Sequence, residues 1–318
     1  MSTETEPTPA EIKQQVAHES ERRARLGVPA VAGGVLYMLS GIIISSTIGD
    51  APSVGVLQGL QPALSGQASP AVSPRAAEIK FDSEHSFGLI AGSVLVAIAI
   101  GALVLALLFL QDGTRFRRPR SNRAARPLVL FGGALMALLS VVTQIFLGIK
   151  THQFASGHDF SNHAVTAVTH NTGYDILAYI TPLAAIALAA GMIITVTNTV
   201  RVGLMPRWMG IVGGVSAVLL LLPAATLDLI PSFWLVATGI LLMERFPKGD
   251  PPAWAAGEAR PWPSQAELRA EREAQQGGGG GRRGAQAALS TAGGDLAPEP
   301  IAHPGGSSRK RRRKRGRR

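Results

Sequence analysis

Cysteine is absent from the 318 residues. Disulfides, thiolate metal sites and thiol nucleophiles are therefore excluded, while the redox compartment stays open. The chain also lacks the phosphate cradle G-x-x-x-x-G-K-[ST], the zinc-binding H-E-x-x-H and the nucleophile elbow G-x-S-x-G. Aromatic residues make up only 5%. Four long apolar runs, about residues 27–48, 87–110, 128–149 and 176–200, contain no Asp, Glu, Lys, Arg or His. Proton-coupled transport usually requires an ionisable group at mid-membrane, and haem held between helices requires histidine there. Neither is supplied.

What is present is apolar length. The chain is 46% hydrophobic, with a mean hydropathy of +0.21. A run of about 20 apolar residues covers the ~30 Å hydrocarbon core as a helix. The first run is long for a signal peptide, and no clear A-x-A site follows it. Residues 207–246 hold two further, shorter runs, about 207–226 and 229–246. Pro223 and Pro231 interrupt this stretch, with Asp228 between them. The reading is all-α: a polytopic bundle of six transmembrane helices. It is preceded by an N-terminal segment over 1–26 and followed from 247 to 318 by a disordered basic tail. The loop from Asp50 to His85 has scattered apolar residues and is expected to have no stable fold of its own.

Orientation follows from charge. Thr114 to Pro127 carries six arginines and no acid, and positive loops are retained in the cytoplasm. Six crossings then place Arg201, Arg207 and both termini on the same side. Small residues are expected where helices touch, because lipid gives them no hydrophobic reason to associate. The candidates are Gly210 with Gly214, Ala187 with Gly191, and Gly132 with Gly133 and Ala134. Gln144 is expected to face a neighbouring helix.

Four of the seven histidines, His152, His158, His163 and His170, fall in one loop on the opposite side. Imidazole suits Zn, Cu, Ni and Fe, and a carboxylate can complete the set. His158, His163, His170 and Asp159 are the candidate ligands of a divalent metal, with His85 as a fifth. The spacing matches no metal motif. A helix starting near Ser161 would place His163 and His170 two turns apart, ~10 Å along the axis. The alternatives are solvated surface histidines or a pH sensor.

The chain ends in Arg309, Lys310, Arg311, Arg312, Arg313, Lys314, Arg315, Arg317 and Arg318, with no acid among them. Such a segment gains about 1 kcal/mol per cation near an anionic bilayer. Nucleic acid would attract it too, but without an aromatic residue it cannot read bases. The expected partners are the lipid bilayer, anionic lipid or nucleic acid at the tail, and a second copy of the chain.

Residues 25–42, RLGVPAVAGGVLYMLSGI, resemble the opening of a bacterial family of six-helix integral membrane proteins with no assigned activity. Residues 201–223, RVGLMPRWMGIVGGVSAVLLLLP, with 230–242, IPSFWLVATGILL, resemble its closing helix pair. Pro206, Arg207 and Trp208 carry the most specific part. The resemblance implies six crossings and no mechanism. The chain is thus expected to be a protein of a bacterial inner membrane with a non-enzymatic role. A small transporter or metal-binding permease is the alternative.

Overall fold

The structure, a computed structural model, describes residues 8–52, 55, 64–65, 72–119, 123–222, 229–246, 250–262 and 269. Every regular element among them is an α-helix.

Helix α1 runs from Pro9 to Gly49, 41 residues or ~62 Å. Its start is a complete capping box. The Thr8 hydroxyl accepts from the Glu11 amide, and the Glu11 carboxylate accepts from the Thr8 amide. Pro9 takes the first turn, where its missing N–H costs nothing. The polar N-terminal segment is therefore continuous with the first apolar run, with no break in the helix at residue 26. The chain continues through α2 (Ala76–Glu84), α3 (Ser86–Arg117), α4 (Ala125–Ser156), α5 (Asn162–Thr169), α6 (Thr172–Val202), α7 (Arg207–Leu219), α8 (Leu229–Leu242) and α9 (Pro252–Ala256). The arginine loop is shorter than its sequence suggests. Arg115 and Arg117 lie in the last turn of α3, and Arg126 in the first turn of α4.

Four helices, α1, α3, α4 and α6, are long and apolar enough to cross a membrane. Helices α7 and α8 have 13 and 14 residues, or ~20 Å each, which falls short of a ~30 Å core. The turn expected near Asp228 lies outside the described residues.

Helix α3 is the hub. It packs against α1, α4 and α6 and touches α8, while α8 closes back on α1 and α7 bridges α6 to α8. Ile100, Leu107 and Leu110 of α3 meet Leu188 and Met192 of α6 and Trp234 and Leu241 of α8 in one core. The outer faces are apolar as well, with Phe131, Leu138, Leu183 and Ile211 all mostly exposed. Helices that are apolar inside and outside fit a lipid surrounding.

Small residues mark the α4–α6 contact. A Cβ added at Gly132 would stand 2.5 Å from the Leu188 amide nitrogen, and one at Gly191 would stand 2.8 Å from that of Val129. Ala187 lies in the same contact. A second contact of this kind, between Gly27 of α1 and Gly239 of α8, is not apparent from sequence. Gly214 has nothing within 4 Å of an added Cβ, which corrects its expected packing role.

At the histidine-bearing end, Ala76 and Ile79 of α2 pack on Phe154 of α4 and on Val165 and Val168 of α5. The Asp50–His85 loop therefore holds a helix, packed on neighbouring elements. A nine-residue helix is marginal alone and owes its order to this contact.

Candidate functional site

The densest buried polar chemistry lies at the arginine-rich end. Glu19 sits one helical face below the polar start of α1, and Arg117 ends α3. The Arg117 guanidinium donates to both Glu19 oxygens, at 2.9 and 2.7 Å, in the bidentate geometry that suits carboxylates. It also donates to the Gly113 carbonyl and, through Nε, to the Ala253 carbonyl at 3.0 Å. The side chains are 0% and 4% exposed. Gln15 adds a further donor to Glu19.

Arg23 lies one turn beyond Glu19 on α1 and is also buried. It donates to Glu244 and Asp250 at 3.1 Å each, and to the Leu241 carbonyl at the end of α8. Glu244 adopts φ +59°, uncommon for a residue with a Cβ. The left-handed turn after α8 brings its carboxylate onto Arg23.

Trp254 of α9 fits between the two arginines. Its ring centre lies 4.2 Å from the Arg23 guanidinium carbon and 5.3 Å from that of Arg117, within cation–π range. It stacks on Phe109, and its Nε1 donates to the Leu204 carbonyl at 2.9 Å. The turn between α6 and α7 receives the rest of the segment. The Arg260 amide donates to the Val202 carbonyl, Trp262 Nε1 to the Met205 carbonyl, and Arg207 to the Trp262 carbonyl. Gly203, at φ +86°, lies where a Cβ would strike the Arg260 backbone. Three carbonyls at the end of α6 and in the turn after it, otherwise left without donors, are thus satisfied by one segment.

The expected start of the disordered tail, at 247, is corrected accordingly. Residues 250–262 fold onto the bundle, and the compact unit containing the helices ends at Trp262. The nine terminal cations, Arg309 to Arg318, lie outside the described residues. This arrangement is not apparent from sequence, where Arg117 belongs to the topology-setting arginine loop and neither Glu19 nor Arg23 stands out. Its available signal was Trp254 and Trp262, two large rings in a Pro-rich stretch that seldom stay solvated.

At the opposite end, His152, His158, Asp159, His163 and His170 are all exposed. Helix α5 starts after Ser161, whose hydroxyl accepts from the Ala164 amide. It stops at Thr169, and α6 begins separately at Thr172, with Asn171 as its cap. His163 and His170 therefore do not share one helix. Asp159 accepts from the Ser161 amide at 2.9 Å, which caps the turn into α5. His85 stacks on Phe81 and points Nδ1 at the Phe81 carbonyl. No three residues of ligand type gather around a common point among those described.

Instead, Asp82 of α2, Ser86 of α3, and Gln144, Gly148 and Thr151 of α4 line a cavity of about 60 Å³. Gln144 thus faces neighbouring helices. The Asp82 carboxyl is held above the usual aspartate range, first by burial and then by repulsion from Glu78; His85 opposes this. The Asp159 carboxyl is pulled below it, chiefly by the Ser161 amide. The two have opposite consequences. A raised carboxyl favours folding while protonated, so its contribution is full below an unfolded value of about 3.9 and is lost as pH rises through the higher folded value. A lowered carboxyl contributes above about 3.9 and loses that contribution as pH falls through its folded value. Asp82→Asn is expected to raise thermal stability at pH 7 and to flatten its decline as pH rises above the unfolded value of about 3.9. Melting temperatures of both forms across that range check this; an unchanged slope contradicts it.

Compared with protein-family models, curated proteins and solved structures, the chain matches none.

Proposed function

We propose that this chain is a six-crossing protein of a bacterial inner membrane, with both termini cytoplasmic. It acts without catalysis as an anchor that presents its basic C-terminal segment to an anionic surface. The carrying observation is the clasp of Glu19, Arg23, Arg117 and Trp254. It draws on α1, α3, α8 and the chain after α8, and it spends buried charge on holding residues 250–262 against the bundle. Buried pairs of this kind contribute little net stability compared with apolar packing and are retained where they fix one arrangement. The segment so fixed is the one that continues into the basic tail.

Several features support the topology. Arginine 115, 117, 118, 123 and 126 cluster where α3 gives way to α4, and residues 201 and 207 add two more between α6 and α7. Crossings by α4 and α6 put both clusters on one side, the cytoplasmic one by their charge, and crossings by α7 and α8 return the C-terminus to it. Local thinning of the bilayer accommodates such short helices at modest cost. The resemblance of the first run and last helix pair to a six-helix family agrees.

The nine terminal cations gain about 1 kcal/mol each near an anionic surface. In nanodiscs containing phosphatidylglycerol at low salt, trypsin is expected to cleave the tail at least tenfold more slowly than in phosphatidylcholine. At about 0.5 M salt the difference should vanish, since the Debye length falls to a few ångströms. Equal cleavage rates would overturn the lipid reading, and a C-terminal reporter found outside the cell would overturn the topology.

A further inference from the structure

A second polar cleft opens at the arginine-rich end, apart from the clasp, where α3, α4 and α6 meet. Gln111, Arg115, Ala125, Arg126, Thr195 and Asn198 line it. At its inner end Gln111 is 6% exposed. Its Nε2 donates to the Thr195 hydroxyl at 2.7 Å. That hydroxyl already donates its own hydrogen to the Gly191 carbonyl at 2.6 Å, so it can only accept from Gln111. The amide orientation is thereby fixed, and Oε1 is left as a buried acceptor with no hydrogen-bond partner. Such an acceptor carries a desolvation cost that a bound donor would remove.

The mouth of the cleft has the opposite character. Arg126 is steadied by Asp112 at 2.6 Å. No carboxylate pairs with Arg115 among the described residues. Helix α4 begins here without a side-chain cap, and the first-turn amides of Ala125 and Arg126 have no intrahelical acceptor. Its positive dipole end adds to the two guanidinium groups. The space between these side chains measures about 10 Å³, at the lower limit for one water-sized group and too small for a phosphate, which would sit at the mouth.

We propose that this cleft binds a phosphate ester carrying a hydroxyl, with the phosphate at Arg115, Arg126 and the start of α4. The hydroxyl enters the tip and donates to Gln111 Oε1. At the boundary of four apolar helices, the source that fits is the headgroup of an anionic phospholipid such as phosphatidylglycerol. A free glycerol phosphate has the same chemistry. The inference uses the membrane reading given above but none of the tail's proposed role.

The test keeps the two separate. Full-length protein with all nine terminal cations changed to glutamine is studied by native mass spectrometry in micelles doped with single phospholipids. One phosphatidylglycerol per chain is expected, bound about tenfold more tightly than phosphatidylcholine. Arg115→Gln with Arg126→Gln should abolish that preference. Gln111→Leu should reduce phosphatidylglycerol to the level of phosphatidic acid, which lacks the headgroup hydroxyl, while phosphatidic acid binding stays as in wild type. Displacement by millimolar glycerol phosphate would assign the site to the soluble ester rather than the lipid. Equal binding of phosphatidylglycerol and phosphatidylcholine, or a preference unchanged in the double arginine variant, would overturn the proposal. Melting temperatures within a few degrees of wild type show that each variant is folded.

Discussion

Glu19→Ala is expected to destabilise the protein by about 3–5 kcal/mol and to expose residues 250–262 to protease. The magnitude follows from what is left behind. Arg117 is fully buried beside Glu19, and it cannot shed its proton. Without the carboxylate, the guanidinium keeps only the Gly113 and Ala253 carbonyls, and its charge is uncompensated in a low-dielectric site. The chain can recover part of this by swinging Arg117 into water. That movement removes the Ala253 contact and one wall of the Trp254 pocket, so stability loss and segment release should occur together. Chymotrypsin cleavage after Trp254, timed in detergent against unfolding by heat, measures both. Cleavage at the wild-type rate in a destabilised variant would show that the pair supports the helices alone.

A double variant separates stability from positioning. Glu19→Leu with Arg117→Met replaces the pair by apolar groups of similar length, and buried pairs so replaced are often neutral or stabilised. Thermal stability should return to within about 1 kcal/mol of wild type. Protease access should not, because Ala253 has lost its donor and Trp254 one of its two cations. This outcome would mean that the charge is retained for placing the segment rather than for folding.

The apolar framework was legible in the sequence because it rests on one-dimensional signals. Four charge-free runs become four helices long enough to cross a membrane, and Thr8, Pro9 and Glu11 announce the start of α1. The Ser161 start of α5 was legible for the same reason, since a cap is local. The clasp was not. Glu19 and Arg117 are 98 residues apart, and Arg23 and Asp250 are 227 apart, so nothing in local spacing distinguishes a buried arginine from one retained only for topology. The turn at 203–208 shows the same limit. Pro206 and Arg207 stood out as a motif, yet its use, three carbonyls receiving Trp254, Arg260 and Trp262, depends on a segment some 50 residues later. The histidine loop shows a related limit. Clustering in sequence suggested a shared metal, but α5 stops at Thr169 and leaves His170 in the turn before α6, off the helix that carries His163.

Gly239→Leu is expected to be as damaging as loss of Glu19, by a route that involves no charge. A Cβ at Gly239 would stand 2.7 Å from the Val31 amide nitrogen and 2.8 Å from the Gly27 carbonyl oxygen. These are backbone atoms of a helix, so they cannot rotate away as a side-chain tip can, and α8 must retreat from α1. Overpacking a core against movable side chains costs about 1–3 kcal/mol. Against a fixed helix backbone the upper end or more is expected, since lipid offers no hydrophobic force to restore the contact. Parting α1 from α8 also separates Arg23 from Glu244 and from the Leu241 carbonyl, so the clasp should loosen together with the helices. Gly214→Leu is the matched comparison. It adds the same side chain to a short apolar helix where nothing lies within 4 Å, and it should leave stability within about 0.5 kcal/mol of wild type. Thermal unfolding in detergent should show Gly239→Leu unfolding well below wild type and Gly214→Leu unfolding alongside it. The reverse ranking would mean that α8 does not pack against α1 through Gly27 and Gly239, and that the small-residue pair at Gly210 and Gly214 forms the contact instead.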